Sequence, residues 1–326
     1  MFPVIGHDDV VRLLPAATCI ALMDDAFRAL ARGEVHNPLR AILRPDGTTT
    51  LLGVMPAYRG GAEPLYAVKT VAIAPGNAAL GIDTHQGAVL LLDGVTGLTR
   101  ALVDAAAITA IRTAAVSAVA TRALARPGAR VLAVLGTGVL ARTHVEAHRA
   151  LQAWDEIRVW GRRPEAARAL AEELGGAAAH MVAAPDVAAA LAGADVVCTL
   201  TASAEPVLRR AWLAPGAHVN AVGSSSPRAR ELDTATVAAA ALFADTRAGT
   251  FAEAGDIVIP LAEGAIAESH LRAELGDVLL GTAPGRRDPG ELTVFKSLGL
   301  AVEDLWAADH VARAALAAGV GGRAQL

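Results

Sequence analysis

Along residues 8–32 apolar positions return at helical spacing, with Pro15 near a helix start and Gly33 just past a helix end, which predicts an amphipathic helical N-terminus. From residue 38 to 103 the period shortens. Runs at 39–44, 48–54, 65–73, 88–92 and 98–103 are β-like, and Asp46-Gly47, Gly60-Gly61, Pro75-Gly76, Asp93-Gly94 and Thr96-Gly97 separate them with turn chemistry. This part is expected to be a mixed or mostly antiparallel sheet with helices. A long alanine-rich helix is predicted over residues 104–126, and beyond it strands at 130–135, 157–160, 180–182, 195–200, 218–222, 241–244 and 292–295 alternate with helices. Such alternation predicts an α/β fold with a doubly wound parallel sheet, a Rossmann domain.

The last helix, from Ala301, has no place for its apolar face in an already complete doubly wound domain. It is expected to return to the first domain, so that residues 1–112 and 301–326 form one α+β domain and residues 113–300 the other. Residues 281–290 are expected to be a mobile surface loop.

Composition narrows the function. More than half of the 326 residues are apolar (53%) but only 3% are aromatic, which favours close helix-on-sheet packing over an aromatic binding surface. A net charge of −4 with scattered arginines argues against a nucleic-acid partner. The apolar stretches near 101–125 and 235–244 are interrupted by Asp104, Arg112, Arg122, Thr234 and Thr236, so no membrane span is expected. The first nine residues lack a basic segment followed by an apolar core, and a cytoplasmic protein is expected. Cys19 and Cys198 read as reduced thiols, and no Cys/His cluster has metal-ligand spacing, so no metal is expected.

The chemistry begins at Gly136-Thr137-Gly138-Val139-Leu140-Ala141, which follows the apolar run Val131-Leu132-Ala133-Val134-Leu135 and opens a helix. The first glycine permits a tight turn, the second lets backbone N–H groups approach a pyrophosphate, and Ala141 allows close packing of helix on strand. Where NAD-preferring proteins place an acidic residue, at the end of the second strand, this chain has Gly161-Arg162-Arg163. Guanidinium groups bind a 2′-phosphate that a carboxylate would repel, so NADP(H) is the expected cofactor, with NAD(H) as the alternative. Thr199 and Thr201 after the fourth strand, and Val222, Gly223 and Ser224 after the fifth, supply small and hydroxyl side chains at the carboxyl ends where such sheets bind ligands.

Lys69 in Tyr66-Ala67-Val68-Lys69-Thr70, the stretch Ile108-Thr109-Ala110-Ile111-Arg112-Thr113-Ala114-Ala115, the glycine loop, Asn220 to Pro227 with Glu231-Leu232-Asp233, and Thr293-Val294-Phe295-Lys296-Ser297-Leu298-Gly299 occur in this order. Together they resemble the ornithine cyclodeaminase/mu-crystallin family from end to end. The resemblance implies an NAD(P)-dependent enzyme, a homodimer joined through its substrate domain, acting on a small amino or imino acid. It implies a substrate pocket of Arg40, Lys69 and Arg112 with Leu298, and places Thr84, Arg112, Thr113 and Ser297 near the cofactor. Cations suit an imino carboxylate, which arginine holds in bidentate form. Read without the family, Arg112 would pair with Asp104 or Asp83, and Arg40 would be a surface strand residue.

Departures from the family pattern select among reactions. Where ornithine cyclodeaminases carry an aspartate after the fifth strand this chain has Ser225, and a second acidic position, two residues ahead of Met55-Pro56, is Gly53. Cyclodeamination must handle the proton of an amine, for which a carboxylate is needed. Reduction of a cyclic ketimine such as Δ1-pyrroline-2-carboxylate needs less: a clamped carboxylate, C2 within hydride reach, and a proton for the nitrogen from Lys69, Ser225 or solvent. That reduction is the leading expectation. Another amino- or imino-acid dehydrogenase, a cyclodeaminase and a non-catalytic NADPH-binding protein follow. His85 is the nearest histidine that could act as acid, with a backbone-bonded loop residue as its plainer reading.

Overall fold

In the computed structural model, which describes residues 1–81, 84–176 and 180–325, a strand β1 (Phe2–Ile5) precedes the predicted helical segment. Pro15 divides that segment into α1 (His7–Leu13) and α2 (Ala16–Ala31), because proline can begin a helix but lacks the N–H to continue one. Strands β2 (Val35–His36), β3 (Ala41–Leu43), β4 (Leu51–Arg59), β5 (Leu65–Ile73), β6 (His85–Asp93) and β7 (Thr99–Asp104) lead to α3 (Ala105–Leu124). Then come β8 (Val131–Leu135), α4 (Val139–Leu151), β9 (Glu156–Trp160), α5 (Pro164–Leu174), β10 (His180–Ala183), α6 (Val187–Leu191), β11 (Val196–Thr199) and β12 (His218–Ala221). The remainder is α7 (Thr234–Ala239), β13 (Ala241–Ala244), α8 (Arg247–Glu253), α9 (Gly255–Ala262), β14 (Leu271–Glu274), α10 (Leu275–Leu280), β15 (Thr293–Lys296), α11 (Ala301–Ala318) and β16 (Gly322–Ala324). Two units divide the chain: residues 1–112 with 299–326, and residues 113–298.

The first unit is built on one sheet in the order β16-β1-β7-β6-β5-β4-β2, with β3 also paired to β4. It is mixed, since β1 runs parallel to β7 while the long hairpins of β4 to β7 are antiparallel. Strand alternation turns Leu65, Ala67 and Lys69 of β5 to the covered side, where α11 packs on α2 and on β4, β5 and β6. Register puts Met55 and Val89 on either side of Lys69. The opposite side carries Leu52, Val54, Pro56, Tyr58, Tyr66, Val68, Leu90 and Leu92, an apolar face on which Leu52 and Tyr66 are exposed.

The second unit has an all-parallel sheet in the order β10-β9-β8-β11-β12-β15-β13-β14, the doubly wound arrangement expected from strand-helix alternation. Successive residues of one strand feed two cores. Leu132, Val134, Val196 and Cys198 join Val145, Ile157 and Leu170, whereas Ala133, Leu135, Val197 and Val219 join Leu191, Leu232 and Ile257. Strands buried on both faces therefore read as continuous apolar runs.

Residues 281–290, expected to be a mobile surface loop, form an irregular, largely exposed segment tied to the fold by an arginine. Arg286 crosses back into the fold, its Nε donating to Leu124 O at 2.7 Å and its Nη2 to Thr293 Oγ1 at 2.8 Å, while Glu291 accepts from Arg272 at 2.6 Å. An arginine satisfied by several buried acceptors pins such a segment despite its glycines. The helix α3 has the length and hydropathy of a membrane span, but 78% of that window is buried, as for a core helix. Both cysteines are free and buried.

A string of polar groups runs through the core of the second unit. His144 Nε2 meets Ser117 Oγ at 3.0 Å, and His148 Nε2 meets Thr121 Oγ1 at 3.1 Å. Asn220 donates to the same Thr121 oxygen at 2.9 Å, and His218 joins Asn220 Oδ1 (3.2 Å) to Thr293 Oγ1 (2.9 Å). Burial holds all three imidazoles neutral, pushing His144 and His218 down to about 3 and His148 to about 4.

Candidate functional site

Strand β8 delivers the chain to Gly136, whose φ of +146° belongs to glycine and where a Cβ would stand 2.8 Å from Leu200 O. Its N–H donates to Trp160 O at 2.8 Å, tying the loop to the end of β9. Gly138 is the N-cap of α4 and lends it no side-chain cap, and a Cβ built there would meet nothing within 4 Å. The helix end is thus open to an anion. A cavity of about 590 Å³ lies against this loop, lined also by Gly161, Arg162, Arg163, Leu200, Thr201 and Ser203. Arg162 and Arg163 are exposed on its wall. Val139 is exposed in the first turn of α4, while Leu140 turns its carbonyl to the His144 ring at 2.6 Å.

The carboxyl ends of β11 and β12 are held by charges to which the sequence reading gave no role. Glu231, fully buried, accepts from Thr199 Oγ1 (2.6 Å), Thr201 N (2.6 Å), Thr201 Oγ1 (2.7 Å) and Gly223 N (2.8 Å). Asp256 Oδ1 accepts from the backbone of Glu231 and Leu232 at 2.7 and 3.0 Å, and its Oδ2 pairs with Lys296 at 2.9 Å. Lys296 also donates to Ala221 O (3.1 Å) and Ser224 O (2.6 Å). Burial raises the pKa of Glu231, and the charge of Asp256 pushes the same way.

Within this network the Thr199 hydroxyl is given to Glu231 and its side chain is buried. Thr201 keeps a place on the cavity wall although its hydroxyl is likewise engaged. Val222 and Ser224 are buried, with the Ser224 hydroxyl donating to Ala229 O, and Ser225 is exposed beyond them.

Ser297 follows β15, and its buried Oγ has no hydrogen-bond partner. An orphaned hydroxyl beside the loops of a doubly wound sheet suits a bound polar group. Together with the open cradle at Gly138, it makes these residues a fit for a dinucleotide. Leu298 is buried, its N–H donating to Asp245 Oδ2 at 2.6 Å.

In the first unit Lys69 and Arg112 come together, both nearly inaccessible, but not as a bare cationic clamp. Lys69 Nζ lies 2.7 Å from Asp304 Oδ2, Arg112 Nε 3.1 Å from Asp304 Oδ1, and Arg112 Nη1 2.6 Å from Glu303 Oε2. Asp104 instead faces His7 at 3.4 Å and accepts from Ala107 N at 2.8 Å, and Asp83 lies outside the described residues. Gly299, with φ +78°, sits where a Cβ would run into the Arg112 guanidinium, and its carbonyl accepts from Arg40 Nη2 at 2.9 Å. Arg40 is half-buried there rather than out on a strand surface. Burial lowers Lys69 to about 8 against the pull of Asp304, while Asp304 and Glu303 hold Arg112 above its ordinary range despite burial.

The other predicted positions are less engaged. Thr84 Oγ1 lies 3.0 Å from His85 Nδ1, and His85 is exposed. Thr113 is buried where the second unit begins. Gly53 lies in β4, where a Cβ would touch Val71 Cγ1 at 3.4 Å. Among the described residues no group of three or more His, Cys, Asp or Glu could hold a metal ion. Asp256, Glu303 and Asp304 were missed in sequence, their one signal being charge inside buried surroundings, while Glu231 and Lys296 stood in the family motifs without a role of their own.

A sequence profile described as the ornithine cyclodeaminase/mu-crystallin family matches residues 4–319. The chain is 38% identical over 291 residues to a Δ1-pyrroline-2-carboxylate reductase of Paracoccus denitrificans, covering 89% of this chain and 92% of that one. It is 41% identical over 279 residues to the ketimine reductase mu-crystallin of Mus musculus, covering 86% and 85%. Among solved structures, Δ1-pyrroline-2-carboxylate reductase of Thermococcus litoralis in complex with NADH and L-proline superimposes with a TM-score of 0.94 at 34% identity, covering 99% of this chain and 100% of that one.

Proposed function

The chain belongs to the ornithine cyclodeaminase/mu-crystallin family, and from that premise we propose that it reduces a small cyclic ketimine carboxylate with NADPH. The substrate is Δ1-pyrroline-2-carboxylate or Δ1-piperideine-2-carboxylate, and the product L-proline or L-pipecolate. The observation that carries this reading is the buried pairing of Lys69 and Arg112 with Glu303 and Asp304 beside Arg40. It offers fixed cations for a carboxylate and an ammonium near neutrality for a nitrogen. The positions at which cyclodeaminases carry acids, Gly53 and Ser225, offer none here.

When bound, NAD(P)H supplies the hydride. The Gly136 to Gly138 loop and the first turn of α4 would hold its pyrophosphate, and Arg162 and Arg163 would bind a 2′-phosphate. Arg40 and Arg112 hold the substrate carboxylate and so orient C2. Lys69, mostly protonated at neutral pH with its pKa of about 8, gives a proton to the ring nitrogen. The C=N π pair becomes the N–H bond as C2 gains the hydride, and solvent returns a proton to Lys69. We read the working form as a cytoplasmic homodimer, for which the apolar outer face of the first unit's sheet offers a surface.

Purified protein is expected to oxidise NADPH with either ketimine and not with ornithine. Turnover with pyruvate and ammonia alone would replace this reading with reductive amination. Arg162→Asp is expected to lower the ratio of kcat/KM for NADPH over NADH by about tenfold or more, since it replaces a charge-assisted contact with repulsion. An unaltered ratio would mean that the phosphate is read by other residues.

A further inference from the structure

We propose that Asp304 is the positioning residue of the reduction: it keeps Lys69 charged and aimed, so that the proton donor is a Lys69–Asp304 pair set within a neutralised cluster of four charges. The inference rests on the reading that a C=N bond is reduced. Lys69 leaves β5 on its covered side between the apolar neighbours Met55 and Val89, so neither cross-strand neighbour gives its ammonium a polar partner.

What it has comes from two helices. From α11, Asp304 Oδ2 stands at 2.7 Å; from α3, Thr109 Oγ1 stands at 3.4 Å and the Arg112 guanidinium adds a like charge. Glu303 acts from farther off, bound to Arg112, and its other oxygen accepts from Leu300 N at 2.9 Å. Cys19 on α2 lies within electrostatic reach of Arg112 and Glu303, and burial raises its pKa and keeps the thiol protonated. Both carboxylates stand in the first turn of the 18-residue α11, where the helix dipole favours anions.

Asp304 serves two cations with two oxygens, and this division gives it the role. Arg112 fixes Oδ1, so Oδ2 stays aimed at Lys69 while the ammonium gives up its proton and regains it. Without the Asp304 charge, burial and Arg112 act on Lys69 against the weaker pull of Glu303 alone, and the amine loses its proton at lower pH.

The test is the pH dependence of kcat for Δ1-pyrroline-2-carboxylate at saturating NADPH. Wild type is expected to lose activity on an alkaline limb near pH 8. Asp304→Asn is expected to move that limb to lower pH by about one unit or more, a tenfold change in the protonated fraction, with KM for NADPH unchanged. Asp304→Glu should bring the limb back toward wild type, and Glu303→Gln should move it less than Asp304→Asn. A folded Asp304→Asn protein with an unmoved limb overturns the proposal, as does an equal loss at every pH. Should Asp304→Asn not fold, Lys69→Arg, whose charge does not titrate in this range, must erase the limb; persistence of the limb overturns the pair. Wild type inactive with every ketimine defeats the reading of the reaction and the pair together, whereas an active wild type with an unmoved limb defeats the pair alone.

Discussion

Arg112→Ala is expected to destabilise the protein by about 3–5 kcal/mol and to abolish measurable turnover of an imino carboxylate. Arg112 is 4% exposed, and its Nε and Nη1 are committed to Asp304 and Glu303, which are themselves almost wholly buried. Truncation leaves Glu303 without its cation and Asp304 with Lys69 alone, both away from water. It also opens space beside Gly299, whose lack of a side chain accommodates the guanidinium. Lost stability and lost binding would be confounded in that variant, and Arg112→Lys separates them. Lysine keeps one positive charge but not the planar fork that reaches both acids, so it should recover part of the stability and little of the affinity. Equilibrium urea unfolding and the KM for Δ1-pyrroline-2-carboxylate measure the two effects. Wild-type stability in Arg112→Ala would contradict the described ion pairs.

The second large effect is acid lability. His144, His148 and His218 are fully buried and held neutral, with pKa values of about 3, 4 and 3 against an ordinary 6.5. Because the folded values are depressed, the unfolded chain binds more protons at every pH between about 6.5 and 4. Stability is therefore fully present above about 6.5 and lost as pH falls toward the folded values. Each histidine contributes about 1.4 kcal/mol per pH unit, and the three together about 4 kcal/mol per unit. Two units of acidification thus remove free energy comparable with the whole of a typical domain's 5–15 kcal/mol. The urea midpoint should be flat from pH 8 to 7 and drop steeply below 6. A midpoint unchanged between pH 7 and 5 would show that these imidazoles are not buried and neutral.

The doubly wound half was legible because its strands are buried on both faces, so Val131 to Leu135, which runs into Gly136, and Val196 to Thr199 stand out from the helices around them. Strand β14 was not legible, since Arg272 and Glu274 break its run at an edge where only one neighbour pairs with it. The short strands β1 and β16 depend on partners distant in sequence and have no turn to announce them. Lys69 and Arg112 were found through family motifs, but their charge balance was not.

Glu303 and Asp304 lie 191 and 192 positions beyond Arg112 at the start of a terminal helix, where acids are common as dipole partners. Only the return of α11 to the first unit turns them inward. The role of Glu231, though the residue stands in a family motif, was hidden for a different reason: half of its partners are backbone N–H groups, which leave no trace in side-chain chemistry.

In the proposed reaction hydride reaches C2 of a ring imine, and labelled cofactor tests that directly. Wild-type protein supplied with NADPH deuterated at the transferring position of C4 and with Δ1-pyrroline-2-carboxylate should yield L-proline carrying one deuterium at C2. Proline without the label, or no cyclic amino acid while NADPH is consumed with a 2-oxo acid and ammonia, would contradict it.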